Sequence, residues 1–146
     1  MIFNVNRVGS IEEDIREAKM DLDDAEMYLE KLKEFLETGR YRKRDITEYF
    51  QLFQAATDRF NEVFRIIHRK ILNHDPTGLI SGKQIGHLNS VIAALAAEMG
   101  TAFVAFEEDP IGGPQILYDK VVEGIEIIEN VKRELNMIVG RRNPFL

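Results

Sequence analysis

The sequence predicts an all-α protein, an up-down-up-down four-helix bundle with long antiparallel helices. Three observations support this prediction: four stretches place apolar residues at alternating steps of four and three, capping and turn residues bound these stretches, and the connections are short. Apolar residues at such steps form one stripe along an α-helix, and another helix must cover that stripe. Short connections favour antiparallel neighbours.

Helix 1 is predicted over residues 11–38. Ser10 and Glu13 fit a capping box at its start, and Gly39 follows its last periodic residue as a C′ glycine would. Residues 11–38 carry eleven acidic side chains against four basic ones, so we expect a negative solvent-facing surface. Its apolar row is Ile11, Ile15, Ala18, Leu22, Ala25, Leu29, Leu32 and Leu36.

Helix 2 is predicted over residues 46–73, with Asp45 and Glu48 as the capping box. We expect it to end before Pro76, because the residue preceding a proline avoids the helical conformation. Its apolar row is Ile46, Tyr49, Phe53, Ala56, Phe60, Val63 and Ile67.

Helix 3 is predicted over residues 82–107, with Ser81 and Gln84 at its start. Between Gln84 and Phe106 the only full charge is Glu98, so the sequence predicts a helix without an obvious solvent face. The large apolar row is Ile85, Leu88, Ile92, Leu95, Met99, Ala102 and Phe106. A second row, about 150° away, holds small residues: Gly86, Ser90, Ala93, Ala97 and Gly100.

Helix 4 is predicted over residues 115–139, with Pro114 near its first turn and Gly140 at its end. Its row is Leu117, Val121, Gly124, Ile128, Val131, Leu135 and Ile138. Residues 1–146 are predicted as one domain, with tails at 1–9 and 141–146. The sites most sensitive to truncation are expected to be Leu22, Leu29, Phe53, Phe60, Ile92, Leu95, Ile128 and Leu135.

The composition excludes several classes of function. The chain has no cysteine, so disulfides, thiolate metal sites and cysteine nucleophiles are ruled out, and its net charge of −6 disfavours general nucleic-acid binding. The start lacks the features of a signal peptide, and the most apolar stretch, 91–106, is shorter than the roughly 20 residues of a membrane span. We therefore expect a soluble, cytoplasmic protein without membrane contact.

No cofactor and no metal are expected. Di-metal carboxylate bundles place Glu and Glu-x-x-His at inward positions, whereas the inward rows here are almost wholly apolar and Glu-x-x-His does not occur. The acidic residues of helix 1 lie beside its core row, which is typical of a solvated face.

One short motif suggests catalysis. Arg69 and His74 are spaced as Arg-x4-His, which resembles the active-site signature of HEPN-type ribonucleases, small all-α proteins that often act as dimers. The resemblance implies metal-independent cleavage at the RNA 2′-hydroxyl assisted by these two residues. Where the family usually has a small polar residue after the arginine, this chain has Lys70. The alternative to catalysis is that Arg69, Lys70 and His74 lie at a helix C-terminus because cations favour the negative end of the helix dipole.

A basic connection is the second candidate site. It consists of Arg40, Tyr41, Arg42, Lys43 and Arg44, a pattern that could bind an anion or a partner. In the predicted topology it shares one end of the bundle with Glu107, Glu108 and Asp109. A solvated loop and mutual neutralisation of the two charged connections are the alternatives.

The small row of helix 3 is the third candidate. Glycine within a helix costs about 1 kcal/mol relative to alanine, so two of them in one row need a reason, such as close approach of another backbone. We expect this row to contact a second subunit, most simply its own copy in a homodimer. The alternative places the row against helix 2 or helix 4 within one chain. The leading functional hypothesis is thus a non-enzymatic interaction or assembly module, with another protein as a further partner class.

Overall fold

The structure, a computed structural model, describes residues 2–39, 43–71, 82–109 and 111–142, with the side chains of 12–39, 45–68, 84, 86–109 and 111–138. The described residues contain four α-helices and no strand. These helices are α1 (Ile2–Thr38), α2 (Lys43–Arg65), α3 (Gly82–Glu108) and α4 (Gly113–Arg142), and a π-helical segment, Ile66–Ile71, continues α2. The predicted all-α bundle is confirmed.

Contacts between neighbouring helices show the up-down-up-down arrangement. The Tyr49 hydroxyl of α2 donates to the Phe35 carbonyl oxygen near one end of the bundle, while further along both helices Arg59 pairs with Asp21. Residue numbers therefore rise on α2 as they fall on α1. The same opposite progression relates α2 to α3, α3 to α4 and α4 to α1. Each helix packs against two neighbours around a common core.

The core consists of the predicted apolar rows. The described members of the α1, α3 and α4 rows are buried, and seven of the eight sites predicted as most sensitive to truncation are buried. Phe53 is the exception, because it is only partly buried. Its ring stacks on Phe103 with centroids 4.8 Å apart, near the surface between α2 and α3.

Several predicted helix ends are wrong. The segment 1–9 was expected as a tail, but α1 begins at Ile2 and runs through Ser10, which is therefore not an N-cap. No proline interrupts residues 2–10, so nothing in that stretch forbids helix. Likewise α4 continues through Gly140 to Arg142, since glycine weakens a helix without blocking it. Lys43 and Arg44, expected in a loop, form the start of α2.

The π-helical segment was not predicted. Ile66 and Ile67 are consecutive and both fully buried, whereas a regular α-helix directs consecutive side chains about 100° apart. The segment packs on α1 and on α3, which bury both isoleucines. The predicted end of this helix near Pro76 lies outside the described residues.

The connections follow standard helix-end chemistry. Gly39 has φ 69° and its N–H donates to the Leu36 carbonyl oxygen, as predicted for a C′ glycine. Between α3 and α4, Asp109 Oδ1 accepts from the N–H groups of Ile111 and Gly112, each at 3.1 Å. The Asp109 carbonyl oxygen then accepts from Gly113, where α4 begins.

Candidate interaction surface

The small row of α3 lies on the surface. Gly86, Ser90, Ala93 and Ala97 are exposed, and Gly100 is half-buried. A Cβ atom built on Gly86 or Gly100 meets no atom within 4 Å. The row is thus largely open to solvent in the single chain, while Ala93 lines a groove with Phe60, Asn61 and Phe64 of α2. Contact of the row with a second subunit stays a prediction. The helix thus has a solvent-exposed side, on which these small residues form one row and Glu98 lies beside them.

An uncharged row of α2 runs beside the small row. Its steps alternate four and three, and its members are Phe50, Gln54, Thr57, Asn61 and Phe64. We call the combined surface the α2–α3 face, comprising these five residues with Ser90, Ala93, Ala97, Gly100 and Val104 of α3. Large apolar side chains are exposed on it: Phe50 is 47% exposed, Phe64 39% and Val104 51%. The face carries no formal charge.

Aromatic packing joins the two helices beneath this face. Phe103 of α3 contacts Phe53 and also Phe50, whose ring centroid lies 5.8 Å away. Farther along, a groove of about 260 Å³ opens at the surface, and Ala93 is exposed on its wall. Its lining is formed by Phe60, Asn61, Phe64, Ile92, Ala93 and Ala96. At the far end, the Asn89 amide nitrogen lies 3.5 Å from Nδ1 of His68.

The other three contacts between neighbouring helices are bridged by ion pairs. Arg59 joins α2 to Asp21 of α1 at 3.1 Å, Lys132 joins α4 to Glu26 of α1 at 2.7 Å, and Lys120 joins α4 to Glu98 of α3 at 3.2 Å. The described contacts between α2 and α3 are aromatic or amide–imidazole. The α2–α3 side thus differs in chemistry from the rest of the bundle.

Burial disfavours the charged forms of these groups, and their partners oppose that effect. Burial raises the pKa of the Asp21 carboxyl above its ordinary value, and Arg59 opposes that shift. Burial lowers the pKa of the Lys132 ammonium, but hydrogen bonds to Asp23, Glu26 and Glu129 more than compensate and raise it overall. Because these groups are already paired across the bundle, they hold helices together rather than present reactive groups.

A second surface groove lies between α3 and α4. It encloses about 390 Å³, with Val91, Ala94 and Ile127 among the apolar lining residues and Glu98, Glu123 and Glu134 among the polar ones. Sequence reasoning did not identify this groove, because it is formed by two helices whose relative rotation the apolar rows alone leave open. The one sequence signal is Ala94, which belongs to neither predicted row of a helix with few charges.

The remaining predicted sites lie outside what the structure describes. The side chains of Arg69, Lys43 and Arg44 are not among the described side chains, and neither are His74 or the residues 40–42. Among the described residues, no group of three or more histidine, aspartate or glutamate side chains is arranged to hold a metal ion. The predicted ribonuclease pair and the predicted basic connection therefore stay predictions.

The stretch Gly86–Glu108 of α3 is long and apolar enough to cross a membrane by length and composition, and is longer than the stretch 91–106 considered from the sequence. Its most apolar window has a mean hydropathy of 1.5, and 39% of that window is buried. The core helix of a soluble bundle meets the same criteria. Here the inner apolar residues belong to the bundle core, and part of the outer surface belongs to the α2–α3 face.

Comparisons with known proteins add no assignment: the chain matches no family model, no characterised protein and no solved structure.

Proposed function

We propose that this protein is a soluble, cytoplasmic, non-enzymatic assembly module that self-associates through the α2–α3 face, most simply as a homodimer. The observation that carries the proposal is the uncharged two-helix surface with Phe50, Phe64 and Val104 exposed on it. Charged residues make up 30% of the chain, so an uncharged surface spanning two helices is unusual for a solvated region. Contiguous exposed apolar patches are typical of interaction sites.

The shape of the face favours a second copy as the partner. Aromatic side chains project from α2, while the small residues of α3 leave room for a close approach. A two-fold axis would lay α2 of one copy over α3 of the other, and the same contact would form twice. Phe50 and Phe64 would then pack on different parts of the small row, in which Ala93 and Ala97 are exposed.

The absence of formal charge matters for self-association. A chain with net charge −6 repels its own copy at long range. The α2–α3 face brings no like charges together at the contact, and apolar burial gains about 25 cal/mol per Å². Two copies that meet on the ten residues of this face bury no carboxylate of the face itself.

The test is the molar mass in solution, measured by light scattering on the wild type and on two matched variants. Ala93→Arg places a charge within the face and is expected to give folded monomers, because an unpaired charge is costly to bury. Ala94→Arg adds the same charge to the next residue, which is also exposed but lies toward α4, and is expected to leave the mass unchanged.

Val104→Lys places a charge at the other end of the face, where the wild-type side chain is 51% exposed, and is also expected to give folded monomers. Circular dichroism should show unchanged helicity in all three variants. A wild type that is monomeric at high concentration, or an Ala93→Arg protein that keeps the dimer mass, would refute the proposal.

A further inference from the structure

We propose that the groove between α3 and α4 is a docking site for a basic amphipathic helix of another protein. This proposal is independent of self-association, because it concerns a different surface. The groove encloses about 390 Å³, and its apolar lining includes Val91, Ala94 and Ile127. Ala94 is exposed and the other two are half-buried, so apolar surface is open to a partner.

The dimensions fit a short helix. Glu123 lies toward one end of the groove and Glu134, eleven residues further along α4, toward the other. At 1.5 Å per residue this separation is about 16 Å, or roughly three helical turns. Ala94 carries only a methyl group there, so a third helix can approach closely. Helices commonly dock in this manner, laying an apolar stripe into a groove between two others.

The charges at the two ends specify the partner. Glu98 and Glu123 share one cation, with Lys120 Nζ 3.2 Å and 3.0 Å from their carboxylate oxygens. At the other end, Glu134 lies 3.7 Å from Nε2 of His87. Both rim glutamates of the first pair keep about half of their side-chain surface exposed, 52% each, so they can accept further hydrogen bonds.

Three carboxylates therefore surround an apolar floor: Glu98 and Glu123 share Lys120, and Glu134 lies beside His87 at the other end. A helix with an apolar stripe and Lys or Arg near both ends complements this surface, and its cations would meet the carboxylates at each end. A second copy of this acidic chain fits the groove poorly, because it would bring further negative charge toward the rim. The groove and the α2–α3 face thus select partners of different chemistry.

The test uses a fluorescein-labelled synthetic helix of about fifteen residues, with Leu and Ala on one side and Lys on the other. Binding is followed by fluorescence anisotropy, and a peptide with Glu in place of every Lys is the matched probe. We expect saturable binding of the Lys peptide and at least about tenfold weaker binding of the Glu peptide.

Two pairs of protein variants separate docking in the groove from general attraction to an acidic chain. Ala94→Arg should weaken binding at least about tenfold, whereas Ala93→Arg, with the same added charge, should bind like wild type. The double variant Glu123→Gln/Glu134→Gln should weaken binding more than Glu30→Gln/Glu34→Gln, which removes two exposed carboxylates from α1. Circular dichroism checks that each variant is folded.

The proposal is overturned if the Lys peptide does not bind, if Ala94→Arg binds it as well as wild type does, or if the α1 double variant loses as much affinity as the groove double variant. Ala93→Arg is expected to be monomeric and still to bind the Lys peptide. Failure of the self-association proposal would therefore be seen in the molar masses, separately from peptide binding.

Discussion

Gly113 lies where the start of α4 meets the end of α3, and the two backbones are in close contact there. A Cβ atom at this position would lie 2.5 Å from Cα of Phe106 and 2.6 Å from the carbonyl oxygen of Ala105. Both neighbours are backbone atoms, so no side-chain rotation can relieve the overlap. The hydrogen bond from the Gly113 N–H to the Asp109 carbonyl oxygen, at 2.8 Å, fixes the approach.

Gly113→Ala is accordingly expected to lower the free energy of unfolding by roughly 1–3 kcal/mol, the range for overpacking. Gly100→Ala is the matched control, because a Cβ there meets no atom within 4 Å. That change should raise the free energy of unfolding by about 0.5–1 kcal/mol through helix propensity alone. Urea denaturation followed by circular dichroism measures both, and equal effects of the two substitutions would contradict the proposed backbone contact.

At the residue scale, apolar spacing predicts burial well where a side chain points straight at the core. Leu29 and Ile128 are examples, both fully buried. Phe53 lies at a flank of its helix and stacks on Phe103, which the predicted row of α3 does not include. Spacing identifies the inward side of each helix, but which of two neighbouring rings covers the other depends on how the two helices are rotated.

At the scale of the helices, α1 and α4 are joined by a partly buried cluster around Lys132. Its ammonium group lies 2.8 Å from Asp23, 2.7 Å from Glu26 and 3.2 Å from Glu129, and the lysine side chain is 16% exposed. Burial raises the pKa of the Glu26 carboxyl, and Lys132 opposes this shift. Removal of Lys132 leaves Glu26 partly buried without its cation.

Lys132→Met should therefore lower the free energy of unfolding by about 1.5–3 kcal/mol at neutral pH. Lys120→Met is the control, since its partners Glu98 and Glu123 are half-exposed and the loss should be about 0–1 kcal/mol. The measurement is chemical denaturation of both variants beside the wild type. A larger loss for Lys120→Met would show that burial does not govern the strength of these pairs.

The pH dependence of Lys132→Met has a definite sign. In wild type the pKa of Lys132 is raised above 10.5, so its stabilising effect is complete at neutral pH and is lost only in strongly alkaline solution. In the variant, the pKa of Glu26 lies higher than in wild type, and its protonation as the pH falls removes the unpaired charge. The destabilisation measured at about pH 5 should be smaller than at pH 7, and an increase would contradict this account.

Helix identity followed from the sequence, whereas helix ends and local irregularities did not. Gly39 was predicted correctly because a C′ glycine adopts a backbone conformation that other residues avoid. The start of α1 was misplaced because a capping box signals a helix start only when the preceding residues are not helical. The π-helical segment at Ile66 could not be predicted, because two adjacent apolar residues do not distinguish it from a regular helix: Ala102 and Phe103 are both buried in α3 as well.

Across the whole molecule, the four contacts between neighbouring helices differ in chemistry. Ion pairs bridge three of the contacts between neighbouring helices, and aromatic rings dominate the described contacts of the fourth. The small row of α3 could be predicted from the sequence, but the uncharged row of α2 beside it could not. Phe50 and Phe64 lie close to the core positions of their own helix, and only the assembled bundle shows that they remain exposed.

Self-association through the α2–α3 face also has a thermodynamic consequence for the whole molecule. If two folded copies associate and unfolded chains do not, the melting temperature must rise with protein concentration. Ala93→Arg should melt at a temperature independent of concentration, whereas Ala94→Arg should retain the dependence seen in wild type. Melting is followed by circular dichroism over a hundredfold range of protein concentration. This range changes the free energy of association by about 2.7 kcal/mol, which makes the difference measurable. A wild-type melting temperature that does not change over this range would mean that self-association through the α2–α3 face does not stabilise the folded chain.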